Sequence, residues 1–204
     1  MNNKEIFLEI EKHLLNDEKP SIFLNELRKK GYLDNEPFNK LKILKEIQQS
    51  PKHHPEGDVW IHIMMVVDNG VKYRDKVKDK KAYMWALLLH DLGKAKTTKM
   101  RKGRWTSYDH DKVGKEEARE FLNYFTHDEV FINKVINLVR YHMHLLFIVN
   151  KLPYADEEGL RKSVDSDIGY VFLADRLGRG KITEEEVDKV YKDVEWFNKN
   201  IINR

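Results

Sequence analysis

ALLLHDLGK, residues 86–94, runs through four apolar side chains, sets His90 beside Asp91, and stops at Gly93. A helix apolar on every side is normally buried. Burying an imidazole and a carboxylate without partners would cost about 2–7 kcal/mol for each. A metal ion is one partner that satisfies both. Adjacent helix positions diverge by about 100°, so spacing alone does not let the pair chelate from one face. A helix terminus, where geometry loosens, could bring both to one ion.

The neighbouring apolar segments supply further donors. His62 lies inside VWIHIMMVV, residues 59–67. The β-branched residues there favour a strand, but Asp58 as N-cap, a run reaching Tyr73 and the lack of any hairpin signal favour a helix. Taken alone, His62 reads as a core histidine bonded to a carbonyl. Asp175 sits in YVFLADRLGRG, residues 170–180, where either a salt bridge to Arg176 or Arg179 or a metal would satisfy it. His62, His90, Asp91 and Asp175 together offer two nitrogen and two carboxylate donors. That set suits Mn, Fe, Co, Ni or Zn better than calcium, with Mg a further candidate, and leaves positions for water and substrate.

Other histidines divide by context. His110, in YDHDKVG, and His142, in RYHMH, are candidates for a second metal or for positioning substrate, with His144 a weaker one. His53 and His54 lie in the loop SPKHHPEG, read as surface or as cleft lining. His13 and His127 read as solvated. Between Lys94 and Arg104 there are six cations and no acid. Such a run is often only a solvated face, but this one begins at the motif, where it would attract an anionic substrate. Lys94, Lys96 and Arg101 are its candidate phosphate-binding residues. Lys94 also reads as a charge favoured by a helix C-terminus.

With 204 residues, 41% hydrophobic and 35% charged, with 10 glycines and 5 prolines, the chain reads as an all-α globular protein. The absence of cysteine excludes disulfides, thiolate zinc sites and cysteine nucleophiles, and suits a reducing cytoplasm. No segment reads as a signal peptide or a membrane span. Residues 1–50 form a helical preamble with helices near 6–15, 20–30 and 32–48. Residues 51–182 carry the candidate site. Residues 183–204 hold a last helix capped by Thr183, with Glu186 completing a capping-box pattern. Within the middle section, 95–107 reads as a long mobile loop, 128–144 as one helix and 157–177 as another. Asp165, Ser166 and Asp167 read as surface.

The order His62, then His90-Asp91, then Asp175 resembles the HD superfamily of metal-dependent phosphohydrolases. HHPEGDVWIH, LLHDLGK, YDHDKVG, VRYHMH and DRLGRG, with FLNELRKKGYL before them, are similar to the HD region of bacterial CCA-adding tRNA nucleotidyltransferases. Only about 20 residues precede the match, too few for that family's polymerase head, and Tyr141 stands where the family often has a histidine. The resemblance implies an HD-type helical bundle hydrolysing phosphoesters of nucleotides, cyclic nucleotides or RNA 3′ ends. It makes Asp91 and Lys94 the candidate catalytic residues. Trp105 and Tyr108, among the cations, would suit a substrate that stacks, and RNA binding is an open expectation. The competing class is an inert RNA-binding or protein-docking module descended from such an enzyme. Oligomeric state is not legible.

Overall fold

The structure, a computed structural model, describes residues 1–203. Its helices are α1 (Asn3–Asn16), α2 (Pro20–Lys29), α3 (Asn39–Lys42), α4 (Val59–Gly70), α5 (Lys80–Leu89), α6 (Lys94–Thr97), α7 (His110–Asn123), α8 (Glu129–Tyr141), α9 (His144–Val149), α10 (Glu157–Ser163), α11 (Asp167–Leu177) and α12 (Glu184–Phe197). One antiparallel hairpin, β1 (Lys99–Arg101) and β2 (Arg104–Thr106), lies between α6 and α7. The chain is an all-α bundle.

The apolar run before His90 is α5, and every residue from Ala82 to Leu89 is buried. A helix without a polar face needs neighbours all round, and α1, α4, α8 and α11 provide them. The Asp79 carboxylate caps α5 by accepting the Ala82 amide at 2.9 Å. Asp58 likewise accepts from the Ile61 amide at 3.0 Å, starting α4 as a helix that ends in a 3-10 turn at Tyr73. The first helices join the same core. Phe7 stacks on Trp85 with ring centroids 4.5 Å apart, and the Trp85 indole donates to Glu11 at 3.0 Å. At the other end the Thr183 capping box forms in full.

Four expectations are corrected. The helix expected over 32–48 is only α3 followed by a 3-10 turn, Ile43–Glu46, because Pro37 disfavours helical backbone in the residue before it. The expected loop after Ala95 is α6 and the hairpin. Lys102 and Gly103, at φ 48° and 73°, supply the two positive-φ residues of a tight hairpin turn. The helix expected over 128–144 ends at Tyr141 and restarts as α9. The one expected over 157–177 breaks at Val164, which is extended.

That last break puts Asp167 inside the protein rather than on its surface. It is fully buried, and its carboxylate accepts the amides of Lys78 at 2.9 Å and Asp79 at 3.2 Å. It thereby pins the start of α11 to the turn entering α5. Asp167→Ala would strand two amides, and should cost about 3 kcal/mol. A urea midpoint unchanged from wild type would refute this account.

Candidate metal centre

Three histidines reach one point by the same local device. His90 is the C-cap of α5 and His142 the C-cap of α8. The last carbonyls of a helix lack intrahelical donors, and each imidazole satisfies one three residues back. His90 Nδ1 donates to Leu87 O and His142 Nδ1 to Val139 O, both at 2.7 Å. His110 Nδ1 donates to Ser107 O at 2.8 Å at the start of α7. Protonation at Nδ1 leaves the Nε2 lone pair free as a ligand. His62, from the middle of α4, has its Nδ1 on Glu56 Oε1 at 2.9 Å.

The free nitrogens gather around Asp91 as two pairs. On the Oδ2 side, His90 Nε2 lies at 3.3 Å and His62 Nε2 at 3.7 Å. These two nitrogens are 3.4 Å apart, and Asp175 Oδ1 is 3.0 Å from His62. On the Oδ1 side, His110 Nε2 lies at 3.5 Å and His142 Nε2 at 3.9 Å, with 3.2 Å between them. Two ligands about 2.1 Å from one ion and about 90–109° apart are separated by roughly 3.0–3.4 Å. The donor spacings match this with little adjustment.

Asp91 supplies the second test of fit. Both its oxygens are buried without a hydrogen bond; the Lys94 ammonium lies 2.7 Å from Oδ2, while Oδ1 has only the His110 and His142 nitrogens at 3.5 and 3.9 Å, an expensive arrangement unless a cation completes it. Burial works to raise its pKa, but Lys94 and His90 hold the carboxyl well below the ordinary range. Asp175 is held down in the same way, against burial, by Arg179 and His62. Burial and the neighbouring His110 and His90 push His142 down to about 3, so it is neutral and able to ligate near pH 7. The residues fit a divalent ion, and the spacing leaves room for two.

Behind them lies a layer that sequence reasoning missed. Glu56 accepts from His54 as well as His62, both at 2.9 Å, and from the Gly180 amide at 3.3 Å. Burial opposes its charge, yet the two imidazoles hold its carboxyl well below the usual range. Its place in HHPEGD, two residues after His54, was the available signal. The Lys94 ammonium is buried, 2.7 Å from both Asp91 Oδ2 and Gln49 Oε1. Glu56→Gln should lower metal affinity about 10–100-fold by letting the His62 ring turn. Chelator competition giving wild-type affinity would show that Glu56 does not orient it.

The centre opens into a cavity of about 280 Å³. Its cationic walls are Lys94, Arg176 and Arg179, and Trp105 reaches it from β2. Lys96 and Arg101 do not line it. Lys96 pairs with Glu117, while Arg101 bonds Thr106 and lies over the Tyr108 ring. His53 and His54 line it, the lesser alternative to the surface reading that a loop histidine favours. His144 faces Arg140 at 3.5 Å instead of joining the cluster.

A family model for the HD domain matches residues 59–180, spanning α4 to the turn after α11. The multifunctional CCA protein of Actinobacillus pleuropneumoniae serotype 5b (strain L20) is 30% identical over 141 residues, covering 69% of this chain and 33% of that protein. The one from Pasteurella multocida (strain Pm70) is 30% identical over 143 residues, covering 70% and 33%. That of Methylococcus capsulatus (strain Bath) is 32% identical over 124 residues, covering 60% and 27%. The chain therefore spans about a third of the length of these relatives. The matched region contains His62, His90, Asp91, His110 and His142, whose donor atoms converge, and Asp175, whose Oδ1 lies 3.0 Å from His62 Nε2. The chain belongs to the HD domain family, within the superfamily of metal-dependent phosphohydrolases.

Proposed function

We propose that the protein is a divalent-metal-dependent phosphohydrolase acting on a phosphoester of a nucleotide, a cyclic nucleotide or an RNA end. The observation that carries this reading is Asp91, a buried carboxylate that stands between two pairs of imidazole nitrogens and whose only side-chain cation besides them is Lys94. His62, His90, Asp91 and Asp175 would hold one ion. Asp91, His110 and His142 would hold a second. Mn, Fe, Co, Ni and Zn suit the mixed nitrogen and carboxylate set.

When bound, the ion supplies Lewis acidity towards the phosphoryl oxygen and a water acidified towards neutral pH. The protein's own residues do the rest. Lys94, on the cavity wall, offsets negative charge developing on the phosphoryl group, an effect of about 3–4 kcal/mol where such a donor is preorganised. Asp91 contributes by position rather than as a general base. A carboxyl held well below its ordinary range is a poor proton acceptor near pH 7. Gln49 holds the Lys94 ammonium in place.

The nucleotide part of the reading rests on a neighbouring cavity of about 610 Å³, walled by Tyr108, Phe147 and Tyr154 and sharing Ser107, His110 and Met143 with the metal cavity. Tyr108 and Tyr154 are exposed, and exposed rings beside a phosphoester site suit a stacking base. The likeness to the CCA proteins points the same way. Assay of the purified chain on bis-p-nitrophenyl phosphate, 2′,3′-cyclic nucleotides and a panel of divalent ions tests the proposal. Metal-dependent turnover is expected. No turnover with any ion, together with tight RNA binding, would leave the inert RNA-binding module as the better reading.

A further inference from the structure

Arg176 and Arg179 carry more charge into the cavity wall than one phosphoester requires. Arg176 is half-buried, yet no carboxylate among the described residues lies within ion-pair distance of it. Arg179 has only Asp175, at 3.7 Å, and its buried Nε has no partner. Asp175 is already engaged 3.0 Å from His62 Nε2. Partly buried charges are normally paired, so two adjacent, under-neutralised guanidiniums form a prepared site for an anion.

The two side chains stand on a boundary. They line the metal cavity and also a second cavity of about 250 Å³ on its far side, which Lys52, Lys181 and Lys189 border. The acids of that second cavity are already engaged. Glu186 closes the Thr183 capping box at 2.8 Å, and Asp193 pairs with Lys189 at 3.1 Å. Among the described residues no carboxylate pairs with Lys52 or Lys181. The lining of this cavity is net positive, with Lys52, Arg176, Arg179, Lys181 and Lys189 against Glu186 and Asp193, and bidentate guanidinium donors suit a phosphate.

We infer that Arg176 and Arg179, backed by Lys52 and Lys181, bind a second, non-scissile phosphate of the substrate. The preferred substrate is thus a nucleotide carrying two separate phosphate groups, either a free bisphosphate or an RNA end with its adjoining backbone phosphate. This rests on the phosphohydrolase reading for which phosphate is cleaved, but not for whether the second is bound.

The test therefore measures binding without turnover. Calorimetry on the full chain treated with EDTA, at constant ionic strength, compares adenosine 3′,5′-bisphosphate with adenosine 3′- and 5′-monophosphate. The bisphosphate should bind about tenfold more tightly than either. Arg176→Gln should bring that ratio close to one, with an unchanged thermal midpoint as the control for folding. Lys52→Gln, at an exposed position, should lower it about twofold or more. A 5′-phosphorylated, 3′-phosphorylated trinucleotide binding more tightly than the bisphosphate assigns the second phosphate to an RNA end, and the reverse order to a free nucleotide. Equal binding of bisphosphate and monophosphates, or a preference that survives both substitutions, overturns the inference. An enzyme that turns over with a ratio of one loses only the second subsite. A preserved ratio without turnover removes only the phosphohydrolase reading.

Discussion

Asp91→Ala should lower turnover by about 10³-fold or more and disable both halves of the proposed metal centre at once. The reason is geometric. One oxygen of Asp91 faces His62 and His90 while the other faces His110 and His142, so its loss opens both halves of the centre. Elemental analysis of the variant should find metal content near background, alongside wild-type helix content by circular dichroism. Unchanged metal content would mean that the ion is held elsewhere. The substitution has a structural cost too. Lys94 is buried, and without the carboxylate 2.7 Å away it retains only Gln49. Leaving half of a buried ion pair typically costs about 3–5 kcal/mol, so the thermal midpoint of the metal-free variant should fall. Asp91→Asn, which keeps the shape, separates the roles by losing metal with the same folded packing.

Gly93→Ala should be nearly as damaging, for a different reason. A Cβ at position 93 would lie 2.1 Å from the carbonyl oxygen of His110 and 2.5 Å from the Gly114 nitrogen. Both are backbone atoms, so no side chain can swing away, and α7 would have to retreat. Overpacking of this kind costs about 3 kcal/mol. Because His110 rides on α7, the retreat would also pull its Nε2 from Asp91 and His142. Urea unfolding and metal titration should therefore show lost stability and weakened metal binding together. Wild-type values in both would show that the contact between this turn and α7 is dispensable.

Much of the site was readable residue by residue. A polar pair at the end of an apolar run has few inexpensive explanations, and His62 and Asp175 pose the same problem in their own apolar segments. The helix caps at Asp58 and Thr183 are local chemistry and formed as read. The hairpin was not legible, because Lys102 is an unusual residue for a positive-φ turn position and only Gly103 marked it. Asp167 was misplaced because its partners, the amides of Lys78 and Asp79, are almost ninety residues away in the chain. Charge alone points Lys96 and Arg101 towards phosphate, whereas Glu117 and Thr106 hold them elsewhere.

An all-α chain with an apolar central helix ending in His90-Asp91, and imidazoles and carboxylates in need of partners, are already legible in the order of residues. Those conclusions depend on periodicity, capping and the cost of burying polar groups, all of which act over a few residues. The three-dimensional packing is what sets Asp91 between two imidazole pairs, puts Glu56 on His62, and makes Arg176 and Arg179, with Lys94, the cationic wall in place of Lys96 and Arg101. Those facts depend on how four helices close around α5, and thus on distances between residues that no local spacing encodes.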